Sequence, residues 1–296
     1  MKNLDQKASE SIWRGIFLMS ALVSVVSLVL IITFIFANGL PFMIDYGIGD
    51  FLFGQQWAPS PDWTAQDPKG AFGVLPMILG SFYTTIGAVI IGAPIGILTA
   101  IYLAYFCPEW LYKVLRPAVN LMAGIPSVVF GFFGLQVIVP WIRNSLPSNG
   151  LSMLAAMIVL AIMILPTVIS ISETSLRAVP SVFYNGGIAL GATHERSVFT
   201  VVFPAARSGV ISSVVLGMGR AIGETMAVQL VIGNQARISF NILDGIRTLT
   251  TNIILEMGYA SGTHRTALIS TAVVLFFFII LINAVFLILK NRGESY

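Results

Sequence analysis

Six runs of apolar residues constrain this 296-residue chain more than anything else in it, at roughly 14–37, 80–104, 118–141, 151–172, 209–233 and 267–289. A helix of about 20 such residues is what it takes to cross the hydrocarbon core of a bilayer. Hydrocarbon offers no water to a bare N–H or C=O, so a spanning segment must satisfy its own backbone, which a helix does and an open strand does not. The expectation is an all-α integral membrane protein with six transmembrane helices. Charge content agrees: only 10% of residues are charged and 56% are hydrophobic, where a water-soluble domain carries about 25% charged. Most of the surface must therefore face lipid. Pro94, Pro126 and Pro166 fall inside the runs and are expected to kink helices whose neighbours cover the lost donor. The first run is too long for a cleavable signal and no small-residue cleavage site clearly follows it.

Lysine and arginine in the loops set the orientation. With the N-terminus in the cytoplasm, ten of the basic residues lie inside and five (Lys69, Arg143, Arg237, Arg247 and Arg265) lie outside, with Arg220 left in the membrane. Both termini are thus expected in the cytoplasm. Organisation follows: residues 1–79 as a first helix with an outer loop, 80–290 as the membrane core, 291–296 as a cytoplasmic tail. The outer loop 41–76 is rich in Gly, Pro, Trp and Asp. Its aromatics suit either the membrane interface or a docking surface for a soluble partner.

The remaining chemistry is sparse. One cysteine, Cys107, excludes an intrachain disulfide and a thiolate metal cluster, and no metal site is expected. His194 and His264 fall outside the runs and read as loop residues rather than ligands. No G-x-S-x-G stands ready for hydrolysis. No G-x-x-x-x-G-K-[ST] is present, so ATP is not expected in a P-loop of this chain, and uphill transport would need energy from another polypeptide or from an ion gradient.

Two charges stand inside the fifth run, VLGMGRAIGETMAVQLVIG (215–233). A charge at the bilayer centre costs roughly 2.5–3.5 kcal/mol on insertion scales, so Arg220 and Glu224 require a purpose. Four residues apart on a continuous helix, they would share a face and reach each other, with Ser213 and Gly217 on that face leaving room beside the guanidinium. Three roles stay open: a structural staple, a gate whose ion pair breaks and reforms, or a contact from Arg220 to a passing anion.

The inner connection, about 173–208, is long enough to fold. Pro180 and Ser181 begin a short helix that Gly191 breaks, and a second runs from Thr193 until Pro204 stops it. Gly191, nine residues and then VVFP (201–204) resembles the permease signature of bacterial ABC importers, although Asn185-Gly186-Gly187 stands where that family often has Glu-Ala-Ala. GIPSVVFGFFGL (124–135), LPTVISISETSLRAVP (165–180) and RAIGETMAV (220–228) extend the match: from Phe51 to the last run the chain resembles PstC-type permeases of phosphate-specific importers. The resemblance implies a type I ABC importer permease (MetI-like) fold with a cytoplasmic coupling-helix loop. It also implies ATPase coupling through Ala189, Leu190, Gly191, Ala192 and Pro204; the charges and small residues of the fifth run put the candidate substrate pathway at Arg220, Glu224, Ser213 and Gly217. Implied partners are a PstA-type permease, two copies of a cytoplasmic ATPase and an extracytoplasmic phosphate-binding protein, in a bacterial inner membrane. No cofactor is expected on this chain, the ATPase using ATP and Mg, and no nucleic acid is involved. Alternatives are a permease for sulfate or molybdate, an ion-coupled transporter with Glu224 carrying the ion, and a membrane scaffold or sensor.

Overall fold

The structure, a computed structural model, describes residues 2–59 and 70–293. The middle of the outer loop with Lys69 and the last three residues of the tail lie outside the described residues. Helix α1 (Lys2–Tyr46) leads into α2 (Ile48–Phe53) and a two-stranded antiparallel hairpin, β1 (Trp57–Ala58) with β2 (Ala71–Phe72). Helix α3 (Leu75–Ile101) runs on through a π turn at Tyr102–Phe106, followed by α4 (Glu109–Gly124). Next, α5 (Ser127–Phe133) continues through a π turn into α6 (Val139–Ser145), and α7 (Met153–Arg177) returns. Then come α8 (Ser181–Ala189), α9 (His194–Ser197), a π turn and α10 (Phe203–Ala205). The chain ends with α11 (Arg207–Gly223), α12 (Met226–Val231), α13 (Leu249–Glu256) and α14 (Gly262–Gly293).

Among the described residues, five helical segments are long and apolar enough to span a membrane: Ile12–Tyr46, Leu75–Phe106, Ser127–Ser145, Met153–Arg177 and Gly262–Ala284. A bent pair, His194–Ala205 and Arg207–Gly223 meeting at 70°, supplies the sixth. The all-helical, six-span expectation therefore holds, with two runs drawn differently. The run 118–141 is not one helix: α4 ends at Gly124, and Ile125 (ψ 128°) and Pro126 (ψ 140°) are extended before α5 begins. The proline ring crowds the residue before it out of the α region, so it separates two helices instead of kinking one. The run 209–233 breaks as well, at Glu224.

The centre of the bundle is α3 against α7. Small residues let the backbones approach: a Cβ at Gly92 would meet the Ala161 carbonyl oxygen at 2.9 Å, and one at Gly96 would meet Val168 Cγ1 at 2.8 Å. Close approach of this kind drives helix association where lipid removes the hydrophobic driving force. Opposite lies α11, where Ser213 Oγ bonds Ser172 Oγ at 2.7 Å. Helix α1 stands apart along its first half, from Ile12 to Ile31, and docks on α14 only near Gly39, whose carbonyl accepts from Ser270 Oγ at 2.7 Å. The hairpin is folded onto the end of the bundle away from the α8–α10 loop: Phe51, Trp57, Phe72, Val74 and Met77 are buried with Leu249 and Leu268. Trp57 is therefore a core residue, not an aromatic at the membrane interface.

Candidate functional site

Arg220 and Glu224 do not share a helical face. Helix α11 stops at Gly223, Glu224 is extended (φ −69°, ψ 130°), and α12 starts two residues later. The Glu224 carboxylate turns forward, its Oε1 accepting from the Ala227 N–H at 3.1 Å, which satisfies a donor at the start of α12. No described carboxylate lies within 4.0 Å of Arg220. The expected ion pair is thus absent, because the backbone turns away between the two residues and gives the acid a nearer partner. Arg220 sits half-buried in the last turn of α11, where a cation complements the carbonyl end of the helix dipole.

Arg220 borders an open flank of α11. Leu216 is exposed, and a Cβ placed at Gly219 or Gly223 would touch nothing within 4 Å. Ser213 and Gly217 precede Arg220 by seven and three residues on the unbroken α11 and lie on the same side of it; both are buried, Ser213 on Ser172 and Gly217 against Ile164 and Val168 of α7. Those two positions are packing contacts of the α7–α11 seam, on the side of the helix where Arg220 follows a turn later. The same contacts set the depth of Arg220. Ile164 and Val168 are mid-way along α7, and Arg220 lies one turn beyond the residue that touches them.

The inner loop forms the expected knob. Leu190 follows the end of α8 and is 91% exposed, Gly191 takes φ +84°, and the Ala192 N–H returns to the Gly187 carbonyl at 3.1 Å. That positive φ favours glycine at a helix C-terminus. Ala189 and Leu190 are thereby displayed beside Val182 and Phe183, all exposed. The second helix departs from expectation at Pro204, which does not end it. The π turn Val198–Val202 leads directly into α10 with Pro204 near its start, and the 70° bend falls afterwards, at Ala206. Proline is tolerated there because the first residues of a helix need no donor. Thr193 caps α9, its Oγ1 accepting from Arg196 N at 3.3 Å.

His194 is more than a loop residue. Its Nδ1 lies 2.7 Å from the Tyr184 hydroxyl of α8 and its Nε2 lies 3.2 Å from the Tyr105 carbonyl at the end of the α3 segment. A carbonyl only accepts, so Nε2 carries the hydrogen and Nδ1 accepts from Tyr184. With Phe106 packed at 4.7 Å between ring centres, the imidazole pins the knob to the bundle.

Two buried carboxylates escaped the reading of the sequence. Glu173, near the inner end of α7, accepts from Tyr112 Oη at 2.8 Å and Arg177 Nε at 2.9 Å, with Arg116 Nη1 2.9 Å from its second oxygen. It binds α4 to α7. The spacing Glu173–Arg177 at the edge of an apolar run was the available signal. Glu256, at the end of α13, takes Trp57 Nε1 at 2.8 Å, Arg247 Nη1 at 2.6 Å and His264 Nε2 at 2.8 Å. His264, read as a loop residue, is therefore half of a buried contact. No local pattern could show this, since Trp57 is 199 residues away.

A membrane bundle with a charged break at mid-depth, an open flank beside it and a knob at one end is the architecture of a transport permease subunit, and the comparisons with known proteins agree. The family model described as "Binding-protein-dependent transport system inner membrane component" matches residues 92–293. The chain belongs to that family, so it works with an ATPase and a substrate-binding protein. It is 42% identical to the "Probable ABC transporter permease protein YqgH" of Bacillus subtilis, over 91% of this chain and 88% of that protein. The "Phosphate transport system permease protein PstC" of Mesorhizobium japonicum is 34% identical, over 79% of this chain and 77% of that protein. The "Probable phosphate transport system permease protein PstC" of Methanocaldococcus jannaschii is 31% identical, covering 100% of this chain and 98% of that protein. Among solved structures, a chain of the MetNI methionine ABC transporter in an inward-facing conformation shares the fold, with a TM-score of 0.57 at 20% identity over 75% of this chain and 95% of that one.

Proposed function

We propose that this chain is the permease subunit of an ATP-driven phosphate importer, forming half of the translocation pathway. The observation that carries the reading is Arg220: a half-buried guanidinium near mid-depth, bordering an open flank of α11, with no carboxylate beside it among the described residues. A planar fork of donors that stays charged at every physiological pH matches the oxygens of an anion with one to two negative charges better than lysine does. The relatives named as phosphate permeases support the choice of anion. The open face of α11 is where a second permease of the PstA type closes the pathway. Two ATPase copies dock on the knob around 181–204, using ATP and Mg that this chain does not bind, and a phosphate-binding protein delivers substrate outside. The subunit itself is non-catalytic, and it sits in the bacterial inner membrane with both termini in the cytoplasm. Restoring the chain to cells that lack it should restore labelled-phosphate uptake that arsenate inhibits and sulfate does not. Uptake blocked by sulfate or molybdate instead would reassign the substrate, and uptake abolished by collapsing the ion gradient at constant ATP would reject the ATP-driven mechanism.

A further inference from the structure

Helix α13 is eight residues long and tied at both ends. Its length is about 12 Å. At its start, Thr248 and Thr251 cap each other, with Thr248 N bonding Thr251 Oγ1 at 2.9 Å and Thr251 N bonding Thr248 Oγ1 at 3.2 Å. The Leu249 N–H donates to Ser81 Oγ of α3 at 2.9 Å, and Gly80 leaves no room for a Cβ against the Arg247 carbonyl. That end is a fixed pivot. From it Thr250 Oγ1 donates to the Glu224 carbonyl at 3.1 Å, the backbone oxygen at the break in the fifth span. At the other end, Glu256 holds Trp57 of the outer hairpin, His264 of α14 and Arg247.

The Glu224 carbonyl needs this hydroxyl. In a continuous helix it would accept from a backbone N–H four residues on; at the break that partner is gone, and hydrocarbon supplies no replacement. Thr250 therefore fixes where the chain turns, and with it the place of Arg220 one turn earlier. We propose that α13 is a strut through which the outer hairpin positions the break: Trp57 and Glu256 set the strut, and Thr250 sets Glu224. Thr250 and Glu256 are positioning residues, acting on the pathway through the backbone without touching what passes. The proposal rests on the reading of the break as part of the pathway.

A double-mutant cycle tests it in the assembled complex in membrane vesicles. Gly223→Cys, at a position with open space at its Cβ, reports on the break in a cysteine-free Cys107→Ser background, read as the labelling rate by a small water-soluble thiol reagent. Thr250→Val keeps the shape and removes the hydroxyl. Trp57→Phe keeps a ring to pack on Phe72 and removes only the N–H donor to Glu256. Each should raise the labelling rate at least threefold, and the double variant should label no faster than Thr250→Val alone, because both act along one path. Equal rates in all four proteins, effects that multiply, or a change with Thr250→Val but none with Trp57→Phe would overturn the strut. Labelling needs no substrate, so this outcome stands apart from the phosphate reading: a coupled cycle alongside normal uptake by Arg220→Gln keeps the strut and removes the anion contact.

Discussion

Glu173 is held by three donors or cations from two helices while only 2% of its side chain is exposed. Breaking a fully buried ion pair costs about 3–5 kcal/mol, but Arg116 and Arg177 keep 25% and 47% of their side-chain exposure and can rehydrate. Glu173→Gln should therefore cost nearer about 1–3 kcal/mol, the range for losing hydrogen bonds to a charged group, read as lowered stability to denaturant in mixed micelles. At Arg220 the comparison is one of shape. Arg220→Lys keeps the charge and loses the fork, so uptake should fall without full loss, while Arg220→Gln should fall further, with subunit assembly intact in both. At this scale the sequence was half legible. A charge inside an apolar run shows itself, and Arg220 and Glu224 were found that way. Their pairing was misread because i,i+4 reach assumes a continuous helix, and Glu224 found the Ala227 N–H instead. Glu256 was invisible because its partners come together only through the fold.

Among the elements, length and hydropathy placed all six spans, and the errors fell where one residue governs the backbone. Pro126 separates α4 from α5 by constraining Ile125, whereas Pro94 and Pro166 stay inside α3 and α7. Helix α4 likewise continues through Pro117, so a proline alone does not end a helix here; the break falls where Ile125, just before Pro126, turns extended. The α3–α7 seam carries a sharper expectation. Gly92→Val must place new carbons where the Ala161 carbonyl and the Ile164 side chain already stand within 2.9 Å of a Cβ. Overpacking of this kind costs about 1–3 kcal/mol, measurable as a lowered melting temperature of the purified subunit complex. Gly219→Ala, inside α11 where nothing lies within 4 Å of a Cβ, should not destabilise the isolated chain and should raise its own melting temperature slightly, since alanine is favoured over glycine in a helix by about 0.5–1 kcal/mol.

The molecule as a whole joins two ends through one bundle. At one end, the knob of α8–α10 is pinned by His194 and leaves Leu190, Val182 and Phe183 exposed. At the other, the hairpin is bolted through Glu256. Exposed apolar residues on a cytoplasmic knob fit a docking surface, so Leu190→Asp should abolish co-purification of the ATPase while the melting temperature of the permease pair holds. A central contact of this type contributes ≥ ~2 kcal/mol, about 30-fold in affinity. The measurement closest to the central claim is ATP-driven accumulation of labelled phosphate in proteoliposomes holding the complete complex, with wild type, Arg220→Lys and Arg220→Gln compared at equal reconstituted ATPase. The account predicts that Arg220→Gln loses accumulation at least tenfold while basal ATP hydrolysis continues. Accumulation at the wild-type rate would contradict it, leaving Arg220 as a cap on the end of α11.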